Sequence, residues 1–237
     1  MEDRSWVGFD ADDTLWHSEH HFMTSHELFC DLVAPYLEDD DPRAVANVRL
    51  IDVERRNIPA FGYGIKAATL SMIEAALEIS QHRISPIEIH RMIDRAKEMM
   101  VHPVDLFEHA ADTLDALGHH RLALITKGDL IDQRRKIDES ELAMRFDTIE
   151  IIHEKSVETY AALFRRLDID ASDFIMIGDS MRSDVLPVLE LGGWAIHVPF
   201  AHTWAHEHAD APVGHPRFRS VTTLREVPAV VGSIRRL

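Results

Sequence analysis

The stretch WVGFDADDTLW, residues 6–16, places three aspartates, Asp10, Asp12 and Asp13, directly after a short apolar run. Carboxylates this close together repel one another, so a folded chain normally spreads them over solvated surface. Here they follow a segment with the composition of a buried strand, and the chain turns apolar again at Leu15. A bound cation is the natural compensation for such a cluster.

Further apolar runs of strand length recur along the chain. They are RLALIT (residues 121–126), DFIMIG (173–178), WAIHVP (194–199) and the weaker FDTIEII (146–152). Their apolarity is largely continuous, where a half-buried strand would alternate, and this is typical of parallel strands covered on both faces. Helical patterns lie between these runs, at residues 106–118, 129–140, 156–167 and 184–193. The alternation predicts an α/β fold with a doubly wound, mostly parallel sheet.

Residues 18–103 carry no strand pattern. Apolar residues recur there at helical spacing, in the sets Phe22, Phe29, Leu32, Val33, Tyr36 and Ile89, Met92, Ile93, Ala96, Met100. The sequence SPIE, residues 85–88, predicts a helix start, because it joins a capping serine, a proline at the first helical position and a glutamate in the first turn. We expect an all-helical cap domain of residues 18–103, inserted into an α/β core domain of residues 1–17 and 104–237.

Composition narrows the classes of function. The chain has 237 residues, 46% of them hydrophobic, and a formal net charge of −16 from 41 acidic and 25 basic residues. No run of Lys or Arg forms a basic stripe, so neither nucleic acid nor an anionic membrane is an expected partner. The single cysteine, Cys30, excludes an internal disulfide and suits a reducing compartment. The first ten residues lack the pattern of a signal peptide and no apolar run is long enough to span a membrane, so we expect a cytoplasmic protein. No pattern specifies an oligomeric state.

The aspartates stand where an open parallel sheet binds ligands, beyond the carboxyl ends of its strands. The run DFIMIG ends in GDSMRSD, which places Asp179 and Asp184 at the same edge as Asp10. If the two strands are neighbours, Asp10 and Asp179 converge on one point. Oxygen ligands from two loops suit Mg²⁺ better than a soft metal.

Carboxylate, hydroxyl and ammonium groups are all predicted at the carboxyl ends of these strands. Asp10 and Asp12 alternate with Ala11 and project to one side, so one carboxylate can attack an electrophile while the other carries a proton. Thr126, Lys127 and Lys155 follow the next strands and provide hydroxyl and ammonium donors for a phosphate. Asp13 is expected to stabilise the start of a helix, and Thr14 to cap that helix or to hydrogen-bond the loop.

These motifs resemble those of the haloacid dehalogenase superfamily. DADDT is similar to its first motif, TKG to its second, Lys155 to its third and GDSMRSD to its fourth, over residues 5–193. The helical insertion resembles the type 1 cap of that superfamily. The resemblance implies a Mg²⁺-dependent phosphatase that hydrolyses small phosphorylated metabolites, with Asp10 as the nucleophile that forms an aspartyl-phosphate and Asp12 as the acid and base.

The resemblance also implies ligands for the phosphoryl group and the metal. Thr126 and Lys155 would hold the phosphoryl group, and Lys127 would touch either substrate or only its own loop, since the family often has Asn at that position. Prolines that usually follow the third-motif lysine are missing after Lys155. The Mg²⁺ ligands would be Asp10, the backbone carbonyl of Asp12, Asp179 and, in support, Asp184.

Other interpretations of the sequence remain open. One is a haloacid dehalogenase, although dehalogenases of this family lack the second aspartate of the first motif, which is Asp12 here. A phosphonate-cleaving enzyme would need a cap lysine, and only Lys66 and Lys97 lie in the cap. A third is a non-catalytic regulatory member of the fold.

The stretch HTWAHEH, residues 202–208, could bind zinc through His202, His206 and His208, but we expect a loop near the mouth of the site. Cap arginines, namely Arg49, Arg55 and Arg56, are expected on the helix surface.

Overall fold

The computed structural model describes residues 5–202, 204, 207 and 209–234. Within them, six strands form one parallel sheet in the order β3-β2-β1-β4-β5-β6. The strands are β1 (Trp6–Phe9), β2 (Arg121–Lys127), β3 (Thr148–Ile152), β4 (Phe174–Gly178), β5 (Trp194–His197) and β6 (Phe218–Ser220). The predicted α/β fold with a mostly parallel sheet is confirmed. The short edge strand β6 was not predicted, because Phe218 is its only apolar residue.

Helices cover both faces of the sheet. They are α5 (Ala110–Leu117), α6 (Leu130–Glu139), α7 (Val157–Leu167), α8 (Leu186–Glu190) and α9 (Val227–Ile234). Successive residues of β2 alternate between two apolar clusters. Leu122 and Leu124 pack with α5 and α9 residues, and Ala123 and Ile125 pack with α7 residues. This two-sided burial explains why the strands are continuously apolar in sequence.

Four helices form a second compact unit. They are α1 (Glu19–Val33), α2 (Pro42–Phe61), α3 (Ile65–Ile79) and α4 (Pro86–Met100). This unit comprises His20–Pro103 together with Gly128–Asp132, and the sheet unit comprises the remaining described residues. Phe29, Leu50 and Met92 are buried in the core of the helical unit. No helix in the described part of the chain combines the length and apolarity that a membrane crossing requires.

The start of α4 has the capping geometry that its sequence predicted. Ser85 Oγ accepts a hydrogen bond from the Glu88 backbone N–H at 3.2 Å, and a Glu88 carboxylate oxygen accepts one from the Ser85 N–H at 2.8 Å. These reciprocal bonds satisfy two backbone donors that the helix itself leaves unpaired. Pro86 occupies the first helical position, where no N–H is needed.

Loss of this cap should lower the stability of the helical unit. We expect Ser85→Ala to reduce its free energy of unfolding by about 1 kcal/mol, because the Glu88 N–H loses its acceptor. Ser85→Asp keeps an acceptor oxygen and serves as the matched control. Hydrogen exchange of the first-turn amides of α4 checks the prediction, and equal protection in Ser85→Ala and the parent chain would contradict it.

Candidate active site

Asp10 and Asp179 follow the two central strands of the sheet. β1 pairs with β4, and Phe9 lies opposite Ile177. The backbone N–H of Asp10 donates to the carbonyl of Ile177 at 2.8 Å, which extends this pairing by one residue. The two aspartates therefore leave the sheet side by side, at the carboxyl ends of neighbouring strands.

Three carboxylates converge at this edge. Asp10, Asp179 and Asp184 each offer an oxygen within 4.8 Å of the others, and all three residues are buried. Burial, reinforced by the neighbouring carboxylates and opposed by Lys155, raises the pKa of Asp10 to about 7 and that of Asp179 well above its usual range. Closely spaced carboxylates that repel one another, as the sequence pattern indicated, are therefore present at this edge.

Lys155 bridges two of these carboxylates. Its Nζ donates to Oδ1 of Asp10 and, at 2.6 Å, to Oδ1 of Asp184. Burial alone would lower the pKa of the Lys155 ammonium, but Asp10 and Asp184 hold it well above the usual value, so the lysine stays charged. Lys155 thereby fixes the Asp10 side chain through one oxygen and leaves Oδ2 outside that ion pair.

Asp179 lacks such a partner. The only hydrogen bond that the described residues donate to its side chain comes from Thr14 Oγ1, over 3.5 Å. Thr14 Oγ1 in turn accepts the Asp179 backbone N–H at 3.1 Å, so it joins the loops after β1 and β4 and does not cap α1. His197 Nε2 donates to the Asp179 carbonyl at 2.8 Å. When charged, a buried carboxylate with one long hydrogen bond needs further compensation, which a cation can supply.

The fourth motif folds tightly against the strand that carries it. Gly178 ends β4, and a Cβ at that position would overlap the Asp184 carboxylate. Ser180 N–H donates to Asp184 Oδ2 at 3.1 Å, and residues Met181–Val185 form a wide helical turn. The absence of a side chain at Gly178 thus allows Asp184 to lie beside Asp10.

Asp12 has a different environment from Asp10. Its carboxylate accepts hydrogen bonds from Trp16 Nε1 and Gln133 Nε2, both at 2.6 Å, and from Lys136 Nζ at 2.6 and 2.8 Å. Burial alone would raise the pKa of Asp12, but the Lys136 ammonium and these hydrogen bonds lower it. The pKa values of two aspartates two residues apart are therefore shifted in opposite directions, that of Asp10 upward and that of Asp12 downward.

Asp13 stabilises the start of α1, as the sequence predicted. Its backbone is left-handed, with φ of 59°. Its carboxylate accepts the backbone N–H groups of Ser18, at 2.9 Å, and Glu19, at 3.0 and 3.1 Å. This geometry directs Asp13 to the helix terminus, away from a catalytic role.

Lys127 occupies a crowded position at the end of β2. Its Nζ donates to Ser183 Oγ at 3.0 Å and forms an ion pair with Glu207, and Glu154 lies 3.7 Å away. Thr126, the preceding residue, is buried. Within the described part of the chain, its side chain makes no hydrogen bond to the acidic cluster. The roles of Thr126, Lys127 and Lys155 in phosphate binding stay predictions.

Several site residues were missed from the sequence, among them Gln133, Lys136 and Glu207. Gln133 and Lys136 lie one turn apart on α6 and are buried, although they belong to a helix of strongly polar composition. Their three-residue spacing is the only signal that the sequence offers. Glu207 belongs to the stretch at residues 202–208, in which His206 and His208 lie outside the described residues, so the zinc interpretation is untested.

The alternatives that depend on the helical unit involve exposed residues. Lys66 pairs with Asp129, and Lys97 pairs with Asp94. The arginines Arg49, Arg55 and Arg56 are all exposed, as expected for a helix surface. Neither lysine shows the burial that an activated amine requires.

Comparison with known proteins identifies the family. The family model for haloacid dehalogenase-like hydrolases matches residues 5–192. The chain belongs to this family. No curated protein matches the sequence.

Solved structures of the family share the fold. A haloacid dehalogenase-like family hydrolase from Xanthomonas campestris is 38% identical, with a TM-score of 0.86 over 99% of this chain and 94% of that one. The HAD-family hydrolase YfnB from Bacillus subtilis, bound to magnesium, is 16% identical, with a TM-score of 0.64 over 96% and 98%. The 2-haloacid dehalogenase from Pseudomonas syringae is 19% identical, with a TM-score of 0.61 over 97% and 99%. The last two show the fold alone.

Proposed function

We propose that this hydrolase is a Mg²⁺-dependent phosphatase that cleaves phosphomonoesters of small metabolites in the cytoplasm through an aspartyl-phosphate on Asp10. The observation that carries the proposal is the contrast between Asp10 and Asp12. Asp10 lies in the acidic cluster, and Asp12 lies outside it, held by Lys136, Gln133 and Trp16. The different surroundings allow the two carboxylates to take different roles, Asp10 as the nucleophile within the acidic cluster and Asp12 as the proton carrier beside it.

The donor set fits a hard divalent cation. Each lysine of the site is already paired, Lys155 with Asp10 and Asp184, Lys136 with Asp12, and Lys127 with Glu207. Asp179 has no ammonium partner among the described residues. Asp10, Asp179 and Asp184 with the Asp12 carbonyl would supply the all-oxygen ligands that Mg²⁺ prefers. When bound, Mg²⁺ would offset negative charge on these carboxylates and on the phosphoryl oxygens.

In the first half of the reaction Asp10 Oδ2 attacks phosphorus. The bond between phosphorus and the ester oxygen breaks, and the phosphoryl group remains on Asp10. Asp12 donates its proton to the departing oxygen, which leaves as an alcohol. A substrate dianion close to Asp12 favours the protonated carboxyl, opposing the effect of Lys136. The loose transition state makes positioning and charge stabilisation the main contributions of the protein.

In the second half water hydrolyses the aspartyl-phosphate. Asp12, now a carboxylate, removes a proton from water, and the water oxygen attacks phosphorus. The bond to Asp10 breaks, which releases inorganic phosphate and restores the free carboxylate. Lys136, Gln133 and Trp16 hold Asp12 in one position for both proton transfers.

Metal removal tests the proposal. Release of inorganic phosphate from a panel of phosphorylated metabolites should fall to the level without protein after chelation, and should return when Mg²⁺ is added. Asp179→Asn is the matched variant, because it keeps the side-chain volume but weakens the cation site, so added Mg²⁺ should restore little activity. Phosphate release that is unchanged by the chelator would contradict a requirement for Mg²⁺. Halide release from 2-chloropropionate without phosphatase activity would favour the dehalogenase alternative.

A further inference from the structure

Glu207 connects three segments of the sheet unit at the candidate site. Its carboxylate accepts from Lys127 Nζ at the end of β2 and from the hydroxyls of Ser180 and Ser183 in the loop after β4. Its own carbonyl accepts the Arg182 N–H at 3.4 Å. Glu207 is only 8% exposed, so it is a buried acceptor of three side-chain donors, and not a surface acid.

The two serines connect Glu207 to the acidic cluster through hydrogen bonds. Ser180 Oγ accepts the Ser183 N–H at 2.9 Å, and the Ser180 N–H donates to Asp184 Oδ2 at 3.1 Å. Ser180 also directly follows Asp179. The position of both carboxylates therefore depends on a loop whose hydroxyl groups share one acceptor, Glu207.

We propose that Glu207 is a positioning residue of this site, which holds Lys127, Ser180 and Ser183 so that Asp179 and Asp184 keep the arrangement that binds Mg²⁺. The inference rests on the proposed function for its link to catalysis, but its effect on the cation site is independent of any substrate. The proposal also gives Lys127 a structural role. Through its contacts with Glu207 and Ser183, Lys127 helps to support the loop after β4.

Titration calorimetry of Mg²⁺ binding tests the inference without a substrate. Glu207→Gln keeps the shape and loses the charge, and we expect the Mg²⁺ dissociation constant to rise about 10- to 100-fold, as for other residues that orient metal ligands. Lys127→Met should also weaken Mg²⁺ binding, and the double variant should bind no more weakly than the weaker single variant, because the two residues act as a unit. Glu190→Gln, an exposed acid in α8, is the control.

The Lys127 variant separates positioning from simple charge. If Glu207 acted only as a negative charge near the cation, removal of the Lys127 ammonium would tighten Mg²⁺ binding, and that result would overturn the inference. Unchanged Mg²⁺ binding in Glu207→Gln would overturn it as well. So would a lower KM for a phosphate ester in Glu207→Gln, since it would mark the carboxylate as a competitor of phosphate.

Two further measurements keep the outcome clear. Ser183→Ala removes one hydroxyl and is a milder change than loss of a buried charge pair. It should weaken Mg²⁺ binding by about 3- to 10-fold even if a Glu207 variant fails to fold, and Mg²⁺ binding equal to the parent would count against the inference. Phosphatase assays on the parent chain decide the proposed function separately. A parent chain that hydrolyses no phosphate ester, but whose Mg²⁺ affinity depends on Glu207, would refute only the function.

Discussion

Replacement of Asp10 by asparagine should abolish turnover of p-nitrophenyl phosphate, with a loss of at least about 10⁴-fold in kcat. The amide keeps the size of the side chain but lacks the anionic oxygen that attacks phosphorus. It also removes the charge that pairs with Lys155, so that among the described residues Asp184 is the ion-pair partner left to the lysine. Steady-state assays at saturating Mg²⁺ measure the loss.

The control must show that the fold is intact. Asp112→Asn changes an aspartate in α5 whose side chain is 85% exposed, and it should retain parental activity. Acid-quenched samples incubated with labelled substrate should contain phosphoprotein in the parent chain and none in Asp10→Asn. Turnover within about tenfold of the parent in a folded Asp10→Asn protein would remove Asp10 from the mechanism.

The fold could be predicted from the sequence because a sheet buried on both faces has strands that are apolar at consecutive positions. Residues 122–125 are all apolar because alternate side chains enter different clusters on opposite sides of the sheet. The same logic placed Asp10 and Asp179 together, since parallel neighbouring strands end at one edge. β6 left no such trace, because Arg219 and Ser220 are polar and the strand pairs only with β5.

The support of the site was less visible than its carboxylates. Lys136 lies in a segment that reads as a solvated helix, and its burial depends on the approach of α6 to the loop after β1. Glu207 lies in an irregular segment with no periodic pattern, and its three donors come from residues 24 to 80 positions away in sequence. Local patterns carry no information about such pairings, which only the tertiary structure creates.

The proton-carrying role of Asp12 predicts a loss that depends on the leaving group. Asp12→Asn should lower kcat by about 10² to 10⁴-fold for an alkyl phosphate, whose alkoxide needs a proton to depart. The loss in the first step should be much smaller for an aryl phosphate such as p-nitrophenyl phosphate, because nitrophenolate leaves without protonation. Hydrolysis of the aspartyl-phosphate needs the base for either substrate, so this variant should accumulate phosphoprotein.

Rapid-mixing measurements separate the two steps. With p-nitrophenyl phosphate, Asp12→Asn should release a burst of nitrophenolate equal to the enzyme concentration and then stall, while Asp112→Asn should continue at the parental rate. Equal losses for alkyl and aryl esters without a burst would show that Asp12 only maintains the loop through Trp16, Gln133 and Lys136. The comparison also bears on dehalogenation, because halide departs without a proton and cleavage of a haloacid would show no dependence on an acid at Asp12.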